Sequence, residues 1–118
     1  MKKKTIAILG STGSIGRSTL DVIKESNEFK VQLLIVNKNY LRIVNQINFF
    51  KPKIVVINNK NIFIKIKKKY CKKSTIILNN ISEIKKQIKK IDVTVSAIPG
   101  IAGLEPTILF TKISKKIL

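Results

Sequence analysis

Three glycines spaced three residues apart, in Gly10-Ser11-Thr12-Gly13-Ser14-Ile15-Gly16, follow the apolar run Thr5-Ile6-Ala7-Ile8-Leu9 and open a segment of helical period. A strand, a tight glycine turn and a helix in that order leave few folds open. Gly10 permits the turn, Gly13 removes a side chain where a ligand's phosphates would approach the backbone, and Gly16 lets the helix pack close to the strand. Amides in the first turn of a helix lack intrahelical acceptors and sit at the positive end of its dipole, so they suit an anion. Thr12 and Ser14 add hydroxyl donors. The spacing and its context predict a phosphate-binding turn.

Downstream, apolar runs of strand length alternate with helical segments, the pattern of βαβ units. Strands are expected at Thr5 to Leu9, Val31 to Val36, Ile54 to Ile57, Thr75 to Leu78 and Val93 to Ile98. Each is rich in Ile, Val and Leu without clean alternation, as strands covered on both faces are. Ile15, Thr19, Val22 and Ile23 recur at helical spacing and are expected to face the sheet. Further helices are expected at Tyr40 to Phe50, closed by Lys51-Pro52, and at Asn59 to Tyr70, with Ile62, Ile66 and Tyr70 inward. Asn80 and Glu83 have capping-box spacing, with Ile81, Ile84 and Ile88 continuing the stripe. The loop Pro99-Gly100-Ile101-Ala102-Gly103 is small enough to admit a ligand near the backbone. A last helix from Leu104 to Lys115 leads to Ile117-Leu118, the expected first step of a sixth strand. The predicted fold is one α/β domain over residues 1–118, a Rossmann-like doubly wound, mainly parallel sheet cut off as its sixth strand starts.

Charge narrows the function less than its size implies. The chain has 24 Lys and Arg against 6 Asp and Glu, a formal charge of +18, which attracts polyanions in general. All but two of the cations are lysine, beside an abundance of Ile and Asn, as an AT-biased coding sequence produces whatever the protein does. The aromatics are few and dispersed and form no base-stacking ladder, which weighs against nucleic acid. Cys71 is the sole cysteine and there is no histidine, so a cysteine zinc site and an intrachain disulfide are excluded. Cys71 reads as an incidental thiol. The carboxylates Asp21, Glu25, Glu28, Glu83, Asp92 and Glu105 are scattered, and no metal ligands or catalytic residues are assigned. No apolar run reaches the roughly 18 to 20 residues of a membrane span, and the basic start is followed by too short an apolar run for an export signal. A cytoplasmic location is expected.

Cofactor choice turns on the end of the second strand. A site selecting NAD places an acid there for the ribose 2′-hydroxyl. Here the residues are Asn37-Lys38-Asn39: an acid is missing and a cation is present, which favours the 2′-phosphate of NADP. A P-loop fails because Ile15 stands where the second glycine is required. A short-chain reductase fails because neither Tyr40 nor Tyr70 has a lysine four residues on. Another NADP-dependent reductase sharing this turn, such as a protein like aspartate-semialdehyde dehydrogenase, and a basic non-catalytic module binding nucleic acid or regulating a partner, remain as alternatives.

The run Ile8 to Val22, Ile-Leu-Gly-Ser-Thr-Gly-Ser-Ile-Gly-Arg-Ser-Thr-Leu-Asp-Val, closely resembles the start of the 1-deoxy-D-xylulose 5-phosphate reductoisomerase family, and Ser96 to Thr107 resembles its second signature. The resemblance implies an NADPH enzyme of non-mevalonate isoprenoid synthesis that converts 1-deoxy-D-xylulose 5-phosphate to 2-C-methyl-D-erythritol 4-phosphate. It covers the family's N-terminal domain only. Carried over, Gly10, Thr12, Gly13, Ser14 and Ile15 would cradle the cofactor diphosphate, and Asn37, Lys38 and Asn39 would surround the ribose phosphate. Asn37 stands where the family has glycine, and Pro99 is unusual in the second signature. The family's divalent metal, Mg or Mn, and its sugar-phosphate substrate are held by residues that follow the position of Leu118. The resemblance further implies a homodimer for the intact enzyme and an inactive fragment here.

Overall fold

The computed structural model describes residues 2–88, 90–98 and 104–118, without the side chains of Leu104, Glu105 and Ile108. The small-residue loop at 99–103, Pro99 included, lies outside the described residues. In chain order the elements are β1 (Lys4–Leu9), α1 (Ser14–Lys24), β2 (Phe29–Val36), α2 (Tyr40–Phe50), β3 (Ile54–Ile57), α3 (Lys60–Lys69), β4 (Ile76–Leu78), a 3₁₀ helix (Ile81–Lys86), β5 (Ile91–Ser96), α4 (Leu104–Ile113) and β6 (Ser114–Ile117).

All six strands are parallel, in the order β4-β3-β2-β1-β5-β6. From β1 the chain winds outward through β2, β3 and β4, then returns to place β5 on the other side of β1. That reversal is the topological switch point of a doubly wound sheet, where the loops leaving two adjacent strands part and open a crevice. Helices α1, α2 and α3 supply Leu20, Ile23, Ile43, Ile47, Ile66 and Tyr70 to the core on one face. The 3₁₀ helix and α4 supply Ile84, Ile88 and Phe110 to the other. Every residue of β3 is therefore buried, and its sequence Ile-Val-Val-Ile shows no alternation because both faces are covered.

Several boundaries differ from the sequence expectation. The helix over 15–23 buries Gly16, Leu20 and Ile23, whereas Ile15 and Val22 are 62% and 71% exposed. The inward stripe is shifted by one position because Gly16, having no side chain, is the residue that touches the turn. The stripe 62-66-70 lies inward as expected, with Ile66 fully buried. The Asn80 side chain caps the following helix by accepting from the Ser82 amide at 2.9 Å, while the Glu83 amide donates to the Asn80 backbone carbonyl at 3.2 Å, and that helix is 3₁₀ and not α. α4 ends at Ile113 and β6 begins at Ser114, earlier than expected. The polar run Ser114-Lys115-Lys116 conceals a strand that, among the described residues, pairs with β5 alone, and an edge strand of this kind tolerates outward lysines.

Asp92 ties the two strands of the switch point together near their starts. Its carboxylate accepts from the Thr5 amide at 2.9 Å and pairs with Lys115 Nζ at 3.2 Å. The Thr5 amide first, then Lys115, hold its carboxyl below the ordinary aspartate range. A carboxyl depressed in the folded state stabilises the fold above its unfolded value of about 3.9, and that contribution is lost as pH falls below it. Unfolding midpoints in urea are thus expected to drop as pH falls below about 4, with a shallower drop in Asp92→Asn. Identical pH profiles for the two would remove Asp92 from this role.

Candidate functional site

The carboxyl ends of β1, β2, β3 and β5 converge on a cleft of about 420 Å³ lined by Gly10, Thr12, Gly13, Asn37, Lys38, Asn39, Asn58, Ala97 and Ile98, with Ile35 and Val36 at its base. The glycine-rich turn forms one wall, the β2–α2 connection another, and the exit of β5 a third. Among the described residues no carboxylate lines the cleft, and Lys38 is the charged side chain there.

Gly10 is in the left-handed region, at φ +88, and a Cβ there would come within 3.0 Å of Ile98 Cγ1 and 3.1 Å of the Ala97 carbonyl group. The Ala97 amide donates to the Leu9 carbonyl at 2.8 Å, which holds the two strand exits together. The residues of the first signature and the start of the second are thus in direct contact across the switch point. Gly16 is tighter still: a Cβ would overlap the Gly10 carbonyl oxygen and lie 2.6 Å from Ser11 Cα. Gly13 differs, since a Cβ there would meet only the Gly10 oxygen at 3.7 Å, an ordinary contact. The fold needs glycine at 10 and 16, but not at 13.

The start of α1 also differs from those of α2, α3 and the 3₁₀ helix. Asn39, Asn59 and Asn80 each cap the following helix through a side-chain oxygen. Gly13 stands at the corresponding place before α1 and offers no side chain, and the first turn contains no acid. The amides of Ser14, Ile15 and Gly16 therefore end at a positive pole without a built-in acceptor. Ser14 and Ile15, expected in the site, do not line the cleft with their side chains; these lie on an outer groove of α1 with Ser18, Thr19 and Val22. Only their backbone faces toward the turn's end of the helix.

The backbone at Asn37 is not in the left-handed region, because Lys51, just after α2, is the sole non-glycine residue with positive φ among the described residues. Sequence reasoning missed two polar residues of α2, Gln46 and Arg42, that hold the turn from behind. Ser11 Oγ donates to Gln46 Oε1 at 2.7 Å, and Gln46 Nε2 donates back to the Ser11 carbonyl at 2.9 Å. One turn earlier on α2, Arg42 Nη1 donates to the Thr12 carbonyl at 3.2 Å. A signal existed for Gln46: it interrupts the buried stripe of Ile43 and Ile47, and a polar residue in such a place requires an internal partner. Nothing in the sequence marked Asn58, which reaches the cleft only because β3 lies beside β2.

Family comparison agrees with this geometry. The family model described as 1-deoxy-D-xylulose 5-phosphate reductoisomerase matches residues 6–118. The chain belongs to that family. A reductoisomerase of Francisella tularensis subsp. tularensis (strain WY96-3418) is 39% identical over 117 residues, covering 99% of this chain and 30% of the relative. One from Pelagibacter ubique (strain HTCC1062) is 40% identical, covering 97% and 30%. A crystal structure of DOX-P reductoisomerase in complex with NADPH, fosmidomycin and magnesium superposes with a TM-score of 0.84 at 30% identity, covering 97% of this chain and 29% of that one. The reductoisomerase from Zymomonas mobilis in complex with NADPH gives 0.77 at 29% identity, covering 90% and 28%. The chain spans about 30% of the length of the curated relatives it matches.

The described residues contain no group of three or more His, Cys, Asp or Glu able to hold a metal ion. They provide no donor set for the divalent metal seen with reductoisomerase structures, and no step through a metal is assigned to them. Among the described residues no helix is long and apolar enough to cross a membrane.

Proposed function

We propose that this chain is the NADPH-binding part of a cytoplasmic 1-deoxy-D-xylulose 5-phosphate reductoisomerase, homodimeric when complete, and that the cleft at the switch point is the cofactor's seat. The observation that carries the reading is the uncapped start of α1 beside that cleft, in a chain of this family. An anion there would complete a helix start that has no side-chain acceptor, where α2, α3 and the 3₁₀ helix use asparagine. Thr12, Gly13, Ser14 and Ile15 would hold the diphosphate through their backbone amides and the two hydroxyls, with Gly10, whose amide donates to the Ile35 carbonyl at 2.8 Å, shaping the turn beneath it. Asn37, Lys38 and Asn39 would take the adenosine ribose and its 2′-phosphate. Bound NADPH supplies a hydride. The openness of Gly13 supports the same assignment: the fold has room for a Cβ at that position, so the reason for glycine lies with whatever approaches from the cleft.

Reduction also requires an acceptor fixed beside the cofactor, and stabilising the transition state requires groups arranged around the reacting carbons. The described residues offer no such cluster. The chain alone is therefore expected to bind NADPH, seen as a saturable change in nicotinamide fluorescence, without oxidising it when 1-deoxy-D-xylulose 5-phosphate and magnesium or manganese are added. Absorbance at the NADPH band over time is the measurement. A steady, substrate-dependent decline would place catalytic groups within these 118 residues and overturn the division of labour, while absence of any NADPH binding would overturn the cofactor reading.

A further inference from the structure

Helix α2 grips the glycine-rich turn at two successive carbonyls. Arg42 and Gln46 are one helical turn apart, so their side chains rise from the same face. Gln46 is buried and makes a two-bond clasp with Ser11, itself fully buried, through both the hydroxyl and the carbonyl. Arg42 is exposed and reaches the next carbonyl, that of Thr12. The peptide unit is planar and trans, so its C=O and N–H point to opposite sides. Pulling the Ser11 carbonyl toward α2 therefore turns the Thr12 amide away from α2, and pulling the Thr12 carbonyl does the same for the amide of Gly13. Among the described residues the Thr12 amide meets no acceptor, and that of Gly13 meets only the Gly10 carbonyl at a long 3.4 Å.

Resting on the cofactor reading above, we propose that Arg42 and Gln46 are positioning residues that aim the amides of Thr12 and Gly13 at the cofactor diphosphate before it arrives. The α2 N-terminus also carries Asn39, whose side chain accepts from the Arg42 amide at 3.2 Å. The segment assigned to the ribose phosphate is thereby coupled through Arg42 to the turn assigned to the diphosphate. Neither side chain lines the cleft, so the role is exerted through the turn and not by touching the ligand. Preorganised donors bind an anion without the cost of ordering them at the moment of binding.

The test uses the full chain with Arg42→Met and Gln46→Glu. The second is nearly isosteric and keeps an acceptor for Ser11 Oγ, but sets a carboxylate oxygen against the Ser11 carbonyl in place of a donor. Because a buried carboxylate can unfold the chain, Arg42→Met, at an exposed position, keeps the proposal testable. Dissociation constants are measured for NADPH, NADH and adenosine 2′-monophosphate, which carries the ribose phosphate and no diphosphate. Loss of one net hydrogen bond corresponds to roughly a 3- to 10-fold change. NADPH and NADH are expected to weaken by that factor alike, with adenosine 2′-monophosphate unchanged. Amide exchange at residues 10–16 of the free chain is expected to accelerate. Loss confined to NADPH and adenosine 2′-monophosphate would make Arg42 a direct phosphate ligand and overturn the proposal. A lower Tm with all three affinities and the exchange rates unchanged would reduce both residues to structural support, which also overturns it. Failure of the unmutated chain to bind any of the three would instead remove the cofactor reading on which the proposal rests, whatever the exchange rates show.

Discussion

Gly16→Ala is expected to lower the unfolding free energy by about 2 kcal/mol or more and to abolish NADPH binding with it. In an ordinary helix position the same change would stabilise, by about 0.5 to 1 kcal/mol, since alanine loses less backbone entropy than glycine. Here the added Cβ would overlap the Gly10 carbonyl oxygen and lie 2.6 and 2.8 Å from two backbone atoms of Ser11. Backbone cannot rotate aside as the tip of a side chain can. Relief requires α1 to lift off the turn, which withdraws Leu20 and Ile23 from the core. Gly13→Ala is the control: its Cβ meets nothing nearer than 3.7 Å, so stability should change little while NADPH binding weakens. Urea denaturation and NADPH titration on both variants measure the contrast. Equal stability of Gly16→Ala and the unmutated chain would show that α1 is not packed against the turn as described.

The second large effect concerns cofactor choice. Lys38 lines the cleft on the β2–α2 connection, and among the described residues no carboxylate lines the cleft with it. Its contact with a 2′-phosphate would be worth roughly 1.5 to 3 kcal/mol, or about 10- to 150-fold in affinity. NADPH is therefore expected to bind more tightly than NADH by a factor in that range, and Lys38→Glu to shrink or reverse the preference. The glutamate both removes the cation and offers an acceptor to a free 2′-hydroxyl, so NADH binding should hold or improve. Competition titrations at two ionic strengths give the measurement, because a phosphate contact weakens with salt. Equal affinity of the unmutated chain for the two cofactors would end the assignment of Lys38.

Much of the site could be read from residues alone because its main parts are local. The turn from Gly10 to Gly16 is contiguous, its neighbours announce a strand and a helix, and Asn37 to Asn39 lie where the second strand must end. Six of the eight residues expected at the cofactor, Gly10, Thr12, Gly13, Asn37, Lys38 and Asn39, line one cleft. The other two, Ser14 and Ile15, belong to the helix start and turn their side chains outward. Periodicity misplaced the inner face of α1 because it counts large apolar residues. It therefore chose Ile15 and Val22, and could not recognise that the residue in closest contact was a glycine with no side chain to count.

Residues 5–9 and the glycines after them determined, without any tertiary information, that a strand feeds a helix through a tight glycine turn. Apolar periodicity likewise determined an α/β layering, since runs such as Ile54 to Ile57 are soluble only when covered on both faces. Strand order was decided by the tertiary structure. Nothing local says that β5 returns to lie beside β1, and only that pairing brings Ala97 and Ile98 against Gly10 and opens the cleft. The grip of Arg42 and Gln46 on Ser11 and Thr12 was decided there as well. Its partners are separated by 30 and 35 positions, and a side-chain hydrogen bond over that distance depends on where the whole of α2 packs, which no pattern within a short window of sequence encodes.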